Sequence, residues 1–180
     1  MGVLLPPPRC LQGVLASPTT APDILLDTLS EAPDHNRFFR LTCSCGGTRF
    51  SVSGDIAWNS LIDQHVVEGP VTSQCPACKR TALLFDPRLH GFDVELDHFP
   101  PTGECGPPRH FSCPSCNGTM FDLTAHLEYP RGLIEALESG QTTGWERFRG
   151  REHDLFGLFT LIGRCRTCTA LATIASRVCA

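Results

Sequence analysis

The chain has 180 residues, a formal charge of −4 at neutral pH, 41% hydrophobic residues, 16 glycines and 15 prolines. Such a composition is rich in turns and short of apolar material for one large core, so the fold needs a staple. The acidic balance discourages contact with the phosphate backbone of a nucleic acid. No apolar run is long enough to span a bilayer, the stretch Leu155 to Gly163 being too short.

Residues 1–36 read as a proline-rich tail, punctuated by Pro6-Pro7-Pro8 and by Pro18 and Pro22. Between the prolines, Asp23 to Leu29 predicts a short helix with Ile24, Leu25 and Leu29 on its apolar face. The proline run interrupts what would be the apolar part of a secretory signal. Pro6 also stands where an acylation signal after Met1-Gly2 needs Ser or Thr.

Past Phe38, apolar–polar alternation predicts strands over 39–42, 49–53, 71–74 and 81–85. Residues 55–70, with Trp58, Leu61, Ile62, Val66 and Val67, predict a helical turn ended by Gly69-Pro70. The stretch 86–108 is turn-rich, and its segment from Asp86 to Asp97 reads as a solvated, partner-facing loop. Beyond it, Pro130 to Gly140 predicts a short helix with proline in its first turn and glycine past its end. Strands over 154–163 and 170–175 complete the chain, so the fold class is mainly β with a few short helices.

Eight of the eleven cysteines form four close pairs: Cys43 and Cys45, Cys75 and Cys78, Cys113 and Cys116, Cys165 and Cys168. Two such turns brought together supply the four thiolates of a structural zinc ion, so four pairs predict two structural zinc ions. An odd cysteine count and a strained Cys-x-Cys loop argue against disulfides, and a reducing cytoplasm fits. A thioredoxin-type dithiol sits at a helix start, and iron–sulfur signatures have tighter cysteine runs, so both fit less well. Gly46 and Gly47, after the second cysteine, are placed where a knuckle commonly needs positive φ. Cys10, Cys105 and Cys179 remain, none with a clear ligand role.

The second half repeats the first. Cys45-Gly46-Gly47-Thr48-Arg49-Phe50-Ser51-Val52 aligns without a gap on Cys116-Asn117-Gly118-Thr119-Met120-Phe121-Asp122-Leu123. This internal duplication predicts two tandem modules, residues 37–98 and 110–180, joined by a Pro/Gly-rich linker at 99–109. It assigns Cys43, Cys45, Cys75 and Cys78 to one metal and Cys113, Cys116, Cys165 and Cys168 to the other, against an interleaved alternative. His90 and His98 lie among Asp86, Asp93, Glu95 and Asp97 but match no catalytic motif, so no catalytic residue is assigned. Arg147, Arg149 and Arg151 near Trp145 read as a solvated strand face.

The opening Cys43-Ser44-Cys45-Gly46-Gly47-Thr48-Arg49-Phe50, followed by Cys75-Pro76-Ala77-Cys78, resembles the zinc-stapled β-tent group, and within it the glutathione-dependent formaldehyde-activating enzymes. The resemblance implies that Cys43, Cys45, Cys75 and Cys78 are the structural zinc set. Those enzymes carry further cysteines between the two pairs for a catalytic zinc. Here none lies between Cys45 and Cys75, so fold is implied and activity is not. The second half has a general zinc-ribbon likeness. The expectation is a non-enzymatic, zinc-stabilised module that binds another protein, of adaptor or toxin-neutralising type. A carbon–sulfur lyase and a nucleic-acid-binding zinc ribbon are the alternatives.

Overall fold

Alternation of apolar and polar residues makes Phe121–Glu128 a strand with two different faces, and both halves of the chain meet on it. In a computed structural model, which describes residues 5–21, 35–60, 63–91, 107–141 and 146–179, this strand is β9. Before it come β1 (Leu15–Thr19), β2 (Asn36–Thr42), β3 (Arg49–Gly54), β4 (Ile56–Asn59), β5 (Gln64–Val67), β6 (Val71–Gln74), β7 (Thr81–Phe85) and β8 (Arg109–His110). After it come α1 (Arg131–Ser139), β10 (Leu158–Cys165) and β11 (Leu171–Val178). The fold is mainly β, and α1 is the one α-helix among the described residues. None of their helices is long and apolar enough to cross a membrane.

The main sheet runs β1-β2-β9-β3-β6-β7, with β10 and then β11 added at β9 and β8 added at β3. β2 and β3 lie end to end along one edge of β9: Arg40 faces Thr124, and Arg49 faces Asp122. The residues between them, including Cys43 and Cys45, are pushed out of line. In the same way β8 and β9 lie end to end along β3, where Ser53 faces His110 and Phe50 faces Phe121. There the displaced segment holds Cys113 and Cys116.

One pairing rule serves both halves. Ser51, Val52 and Ser53 face Gln74, Ser73 and Thr72; at the aligned positions Asp122, Leu123 and Thr124 face Arg164, Gly163 and Ile162. Gln74 faces Thr81 as Arg164 faces Leu171. Even the irregularity recurs, between Val71 and Thr72 in one half and between Leu161 and Ile162 in the other.

The halves nevertheless share one sheet and one core. Phe39, Leu41, Phe50, Phe121, Leu123, Phe159 and Leu161 belong to a single buried cluster. Phe85 stacks on Phe159 with ring centres 4.5 Å apart. Gly163 lets β10 pass close to its neighbours, since a Cβ there would meet Ile174 Cδ1 at 2.5 Å. Tandem modules separated by a linker therefore do not describe how the strands pair, and most of the expected linker, 99–106, lies outside the described residues.

Several local expectations change. Ile56–Asn59 and Gln64–Val67 pair as antiparallel strands and not as parts of a helical turn: Trp58 faces His65 in register, their rings meeting edge-on at 5.1 Å. The β-branched Val66 and Val67 are buried there, and Asp63 takes the left-handed conformation (φ 52°) at the turn. Residues 5–21, expected in a tail, are packed into the fold. Cys10 and Leu11 are buried, β1 pairs with β2, and Asp154 holds Arg9 through its backbone N–H at 2.8 Å and its guanidinium. The same Asp154 sits in a 3-10 turn, so β10 starts at Leu158. Arg147, Arg149 and Arg151 fall on or beside another 3-10 turn, Glu146–Phe148, and not on a strand. The expected helix over 23–29 lies outside the described residues. α1 starts after Pro130 and ends at left-handed Gly140 (φ 69°).

Candidate metal centres

Each cysteine pair closes a tight turn of the same design. Cys75 N–H donates to Arg80 O and Lys79 N–H to Cys75 O. Cys165 and Thr169 donate to Ala170 and Cys165, and Cys113 and Asn117 to Gly118 and Cys113. The Cys43 turn is one residue shorter, with Cys43 donating to Gly47 and Gly46 to Cys43. Each turn puts the residue after its second cysteine at positive φ: Gly46 at 86°, Lys79 at 62°, Asn117 at 60° and Thr169 at 62°. Gly46 meets the expectation of positive φ, and Gly47 has a different task. A Cβ on Gly47 would lie 2.9 Å from Cys75 Sγ, and one on Gly118 would lie 3.1 Å from Cys165 Sγ. Glycine at these positions lets the two turns close on each other.

The turns at the ends of β2 and β6 bring Cys43, Cys45, Cys75 and Cys78 together. Those before β9 and after β10 bring Cys113, Cys116, Cys165 and Cys168 together. Within each set all four Sγ atoms lie within 4.8 Å of one another, and either set could hold a metal ion. In the first set Cys43 and Cys78 are 3.5 Å apart and Cys45 and Cys75 3.6 Å. In the second, Cys113 and Cys168 are 3.7 Å apart and Cys116 and Cys165 3.5 Å. These separations exceed a disulfide bond of about 2 Å by far.

The electrostatics favour an ion. The Cys45 backbone N–H helps hold the Cys43 thiol down at about 7. Burial opposes ionisation of Cys165, but the N–H groups of Cys168 and Thr167 outweigh it and bring that thiol to about 6. Gly47 N–H favours the Cys45 thiolate, yet Cys43, Cys78 and Cys75 beside it push it up to about 12. Cys116 reaches about 12 likewise: Gly118 N–H lowers it, and Cys168, burial, Cys165 and Cys113 raise it. Neighbouring thiolates repel, and a cation among them removes the conflict.

The remaining candidates have structural partners. Asp86 is bound by the Arg88 guanidinium at 2.8 and 3.0 Å, and His90 Nδ1 accepts the Asp86 N–H at 2.9 Å. Burial would raise Asp86, but its Arg88 hydrogen bonds win and lower it. This pair closes a turn. Asp93, Glu95, Asp97, His98 and Cys105 lie outside the described residues. Cys10 and Cys179 are buried, and burial first, with Asp154 and Cys179 nearby, pushes the Cys10 thiol far up. Sequence reasoning missed Arg40, Arg164 and Arg166, although the last two flank Cys165, a visible signal.

No family model matches the chain, and neither a curated protein nor a solved structure matches it.

Proposed function

We propose that this chain is a non-enzymatic protein-binding module of the cytoplasm, built from two copies of one strand-and-knuckle unit and held by two structural zinc ions. Zinc–sulfur bonds of about 2.3 Å in a tetrahedron set sulfurs about 3.8 Å apart, close to the 3.5–3.7 Å separations of the paired thiols. Four thiolates complete a tetrahedral ion, so neither zinc keeps the open position that catalysis requires. The β-tent likeness of the first half is consistent with such a staple.

One observation carries the binding role. β2 and β8 occupy equivalent places, yet β2 has β1 paired on its outer edge while β8 pairs, among the described strands, with β3 alone. A groove of about 420 Å³ runs between β8 and the β4–β5 pair, lined by Ile56, Trp58, His65, Arg109, His110 and Phe111. Trp58 is 53% exposed. A strand edge that no described strand covers, beside an exposed aromatic ring, suits an extended peptide, with main-chain hydrogen bonds for affinity and Trp58 for grip. Arg109 favours an acidic side chain at its end of the groove, as an adaptor or a toxin-neutralising protein would meet on its partner, while Asp63 lines the other part.

Selection of displayed peptides against the zinc-loaded full chain tests this. Enriched acidic, strand-forming peptides whose binding is lost in Trp58→Ala are the expected result. Failure to enrich, or binding indifferent to Trp58→Ala, would overturn it.

A further inference from the structure

A second concavity has two arginines and one aspartate in its lining. It encloses about 420 Å³ and is lined by Thr19, Thr20, Arg40, Thr48, Asp122, Thr124 and Arg164, with the half-buried Leu171 supplying an apolar side over the buried Ile162. Directly paired residues of antiparallel strands share a face. The register therefore puts Arg49, Asp122 and Arg164 in one row across β3, β9 and β10. Arg40 stands one row away, facing Thr124. Arg166 bonds Asp122 Oδ2 at 2.9 Å. Four arginines thus gather around a single carboxylate on a protein whose formal charge is −4.

The repeated framework separates function from architecture here. At the positions aligned with Arg49, Asp122 and Arg164, the other half has Met120, Ser51 and Gln74. The counterpart of Arg166 is Pro76, and that of Arg40 is His110. Those residues support the same pairings, down to the same irregularity, without a fixed charge. The strand pairings therefore do not depend on Arg40, Arg49 or Arg164, whereas Arg166 is held by Asp122. A cationic row that the architecture does not require, set at the mouth of a cavity with hydroxyl groups, is suited to an anion.

We propose that this cavity binds a small organic anion, one phosphate or carboxylate group attached to a short hydroxyl-bearing body. Arg40 and Arg164 take the anionic group, the threonine hydroxyls take the polar body, and Leu171 packs against its carbon atoms. Asp122, neutralised by Arg166, keeps the row in place. Both four-cysteine sets flank the site: Thr48 follows the first knuckle, and Arg164 and Arg166 bracket Cys165. Metal loading and anion binding should rise and fall together. The site is separate from the groove beside Trp58, so Trp58→Ala leaves it untouched.

The test is titration of the metal-loaded full chain, followed by amide chemical shifts, with glycerol 3-phosphate, lactate, inorganic phosphate, acetate and glycerol. The preferred one of glycerol 3-phosphate and lactate identifies the anionic group. Shifts confined to Thr48, Thr124, Arg164 and Leu171, with affinity at least about tenfold above the bare anion, are expected. Glycerol alone should do nothing. Arg164→Gln copies the residue the other half uses at that place, so it should keep the fold and the metal content while weakening the anion by about tenfold or more. Three results would overturn the proposal: no shift with any anion, equal binding by Arg164→Gln, or an oligonucleotide that binds far more tightly with a steep salt dependence. Equal affinity for inorganic phosphate and glycerol 3-phosphate would also overturn it, since the apolar side would then have no ligand to hold.

Discussion

The two four-cysteine sets are built alike and exposed differently. In the set on β2 and β6, Cys45 and Cys78 face solvent; in the set on β9 and β10, Cys116 and Cys168 are half-buried. The first set is bridged at its rim by Arg80, which bonds Ser44 Oγ. The second is tied into the sheet, where Arg166 N–H donates to Met120 O at 2.9 Å and its guanidinium to Asp122. One turn design thus serves an outer and an inner position, and the surroundings decide how firmly each is held.

The largest expected effect separates shared from independent stability. Structural zinc is worth on the order of 10 kcal/mol, comparable to a whole small domain. Cys75→Ser and Cys165→Ser should each unfold the entire chain, because β3 and β9 pair across the halves. Hydrogen exchange that stays slow in β9–β11 of Cys75→Ser would break this picture.

Next comes the stack between halves. Phe159→Ala should cost about 3–5 kcal/mol and lower a single melting transition. Two separate transitions would mean that the Phe85 contact couples little.

His126 adds a pH dependence to the second half. It is 2% exposed, shares a hydrogen bond with Asn36 Oδ1 at 2.6 Å and stacks on Phe38. Burial holds its imidazole down at about 4. The neutral ring is therefore the folded form, and its contribution is present above the ordinary value near 6.5. As pH falls from there through 4, about 3 kcal/mol is lost. Acid also releases thiolate-bound metal, so the measurement is a comparison at equal metal load. The acid limb of unfolding should be shallower in His126→Asn than in the parent, and identical limbs would refute the assignment.

Gly47→Ala and Gly118→Ala probe closure of the knuckles, at about 1–3 kcal/mol each. Gly118→Ala should cost more, its Cβ meeting Thr167 Oγ1 at 2.8 Å and Cys165 Sγ at 3.1 Å where that of Gly47 meets Cys75 Sγ alone at under 3 Å, as paired melting curves can show. The last contrast is kinetic. Since metal loss from either set unfolds the whole chain, a chelator should remove both metals in one phase, begun at the exposed Cys45 and Cys78; two phases would show the sets to be independent.

The cysteine spacing, the flanking strands and the glycine after Cys45 were all legible, because each follows from a few neighbouring residues. The pairing of β4 with β5 was not. Its apolar residues are too few to separate a strand period from a helical one, and the Trp58–His65 pairing that decides it is tertiary. β1 was hidden by Pro18, which an outer strand tolerates since it needs no donor on its open side. The arginine row could not be read at all, because residues 40, 49, 122 and 164 become neighbours only through long-range register.

The displaced knuckles have a consequence for phase. β2 and β3 follow the same edge of β9 in one direction, yet Arg40 and Arg49 sit beside Thr124 and Asp122, so the chain stores its slack in the turn between them. A ladder with stored slack can slide, and a slip of one residue turns every side chain on the strand to the opposite face. An ion that pins Cys43 and Cys45 against Cys75 and Cys78 would clamp that slack at a fixed length. Such a clamp would act as a ratchet stop for the strand and keep the order of side chains along both faces of the sheet.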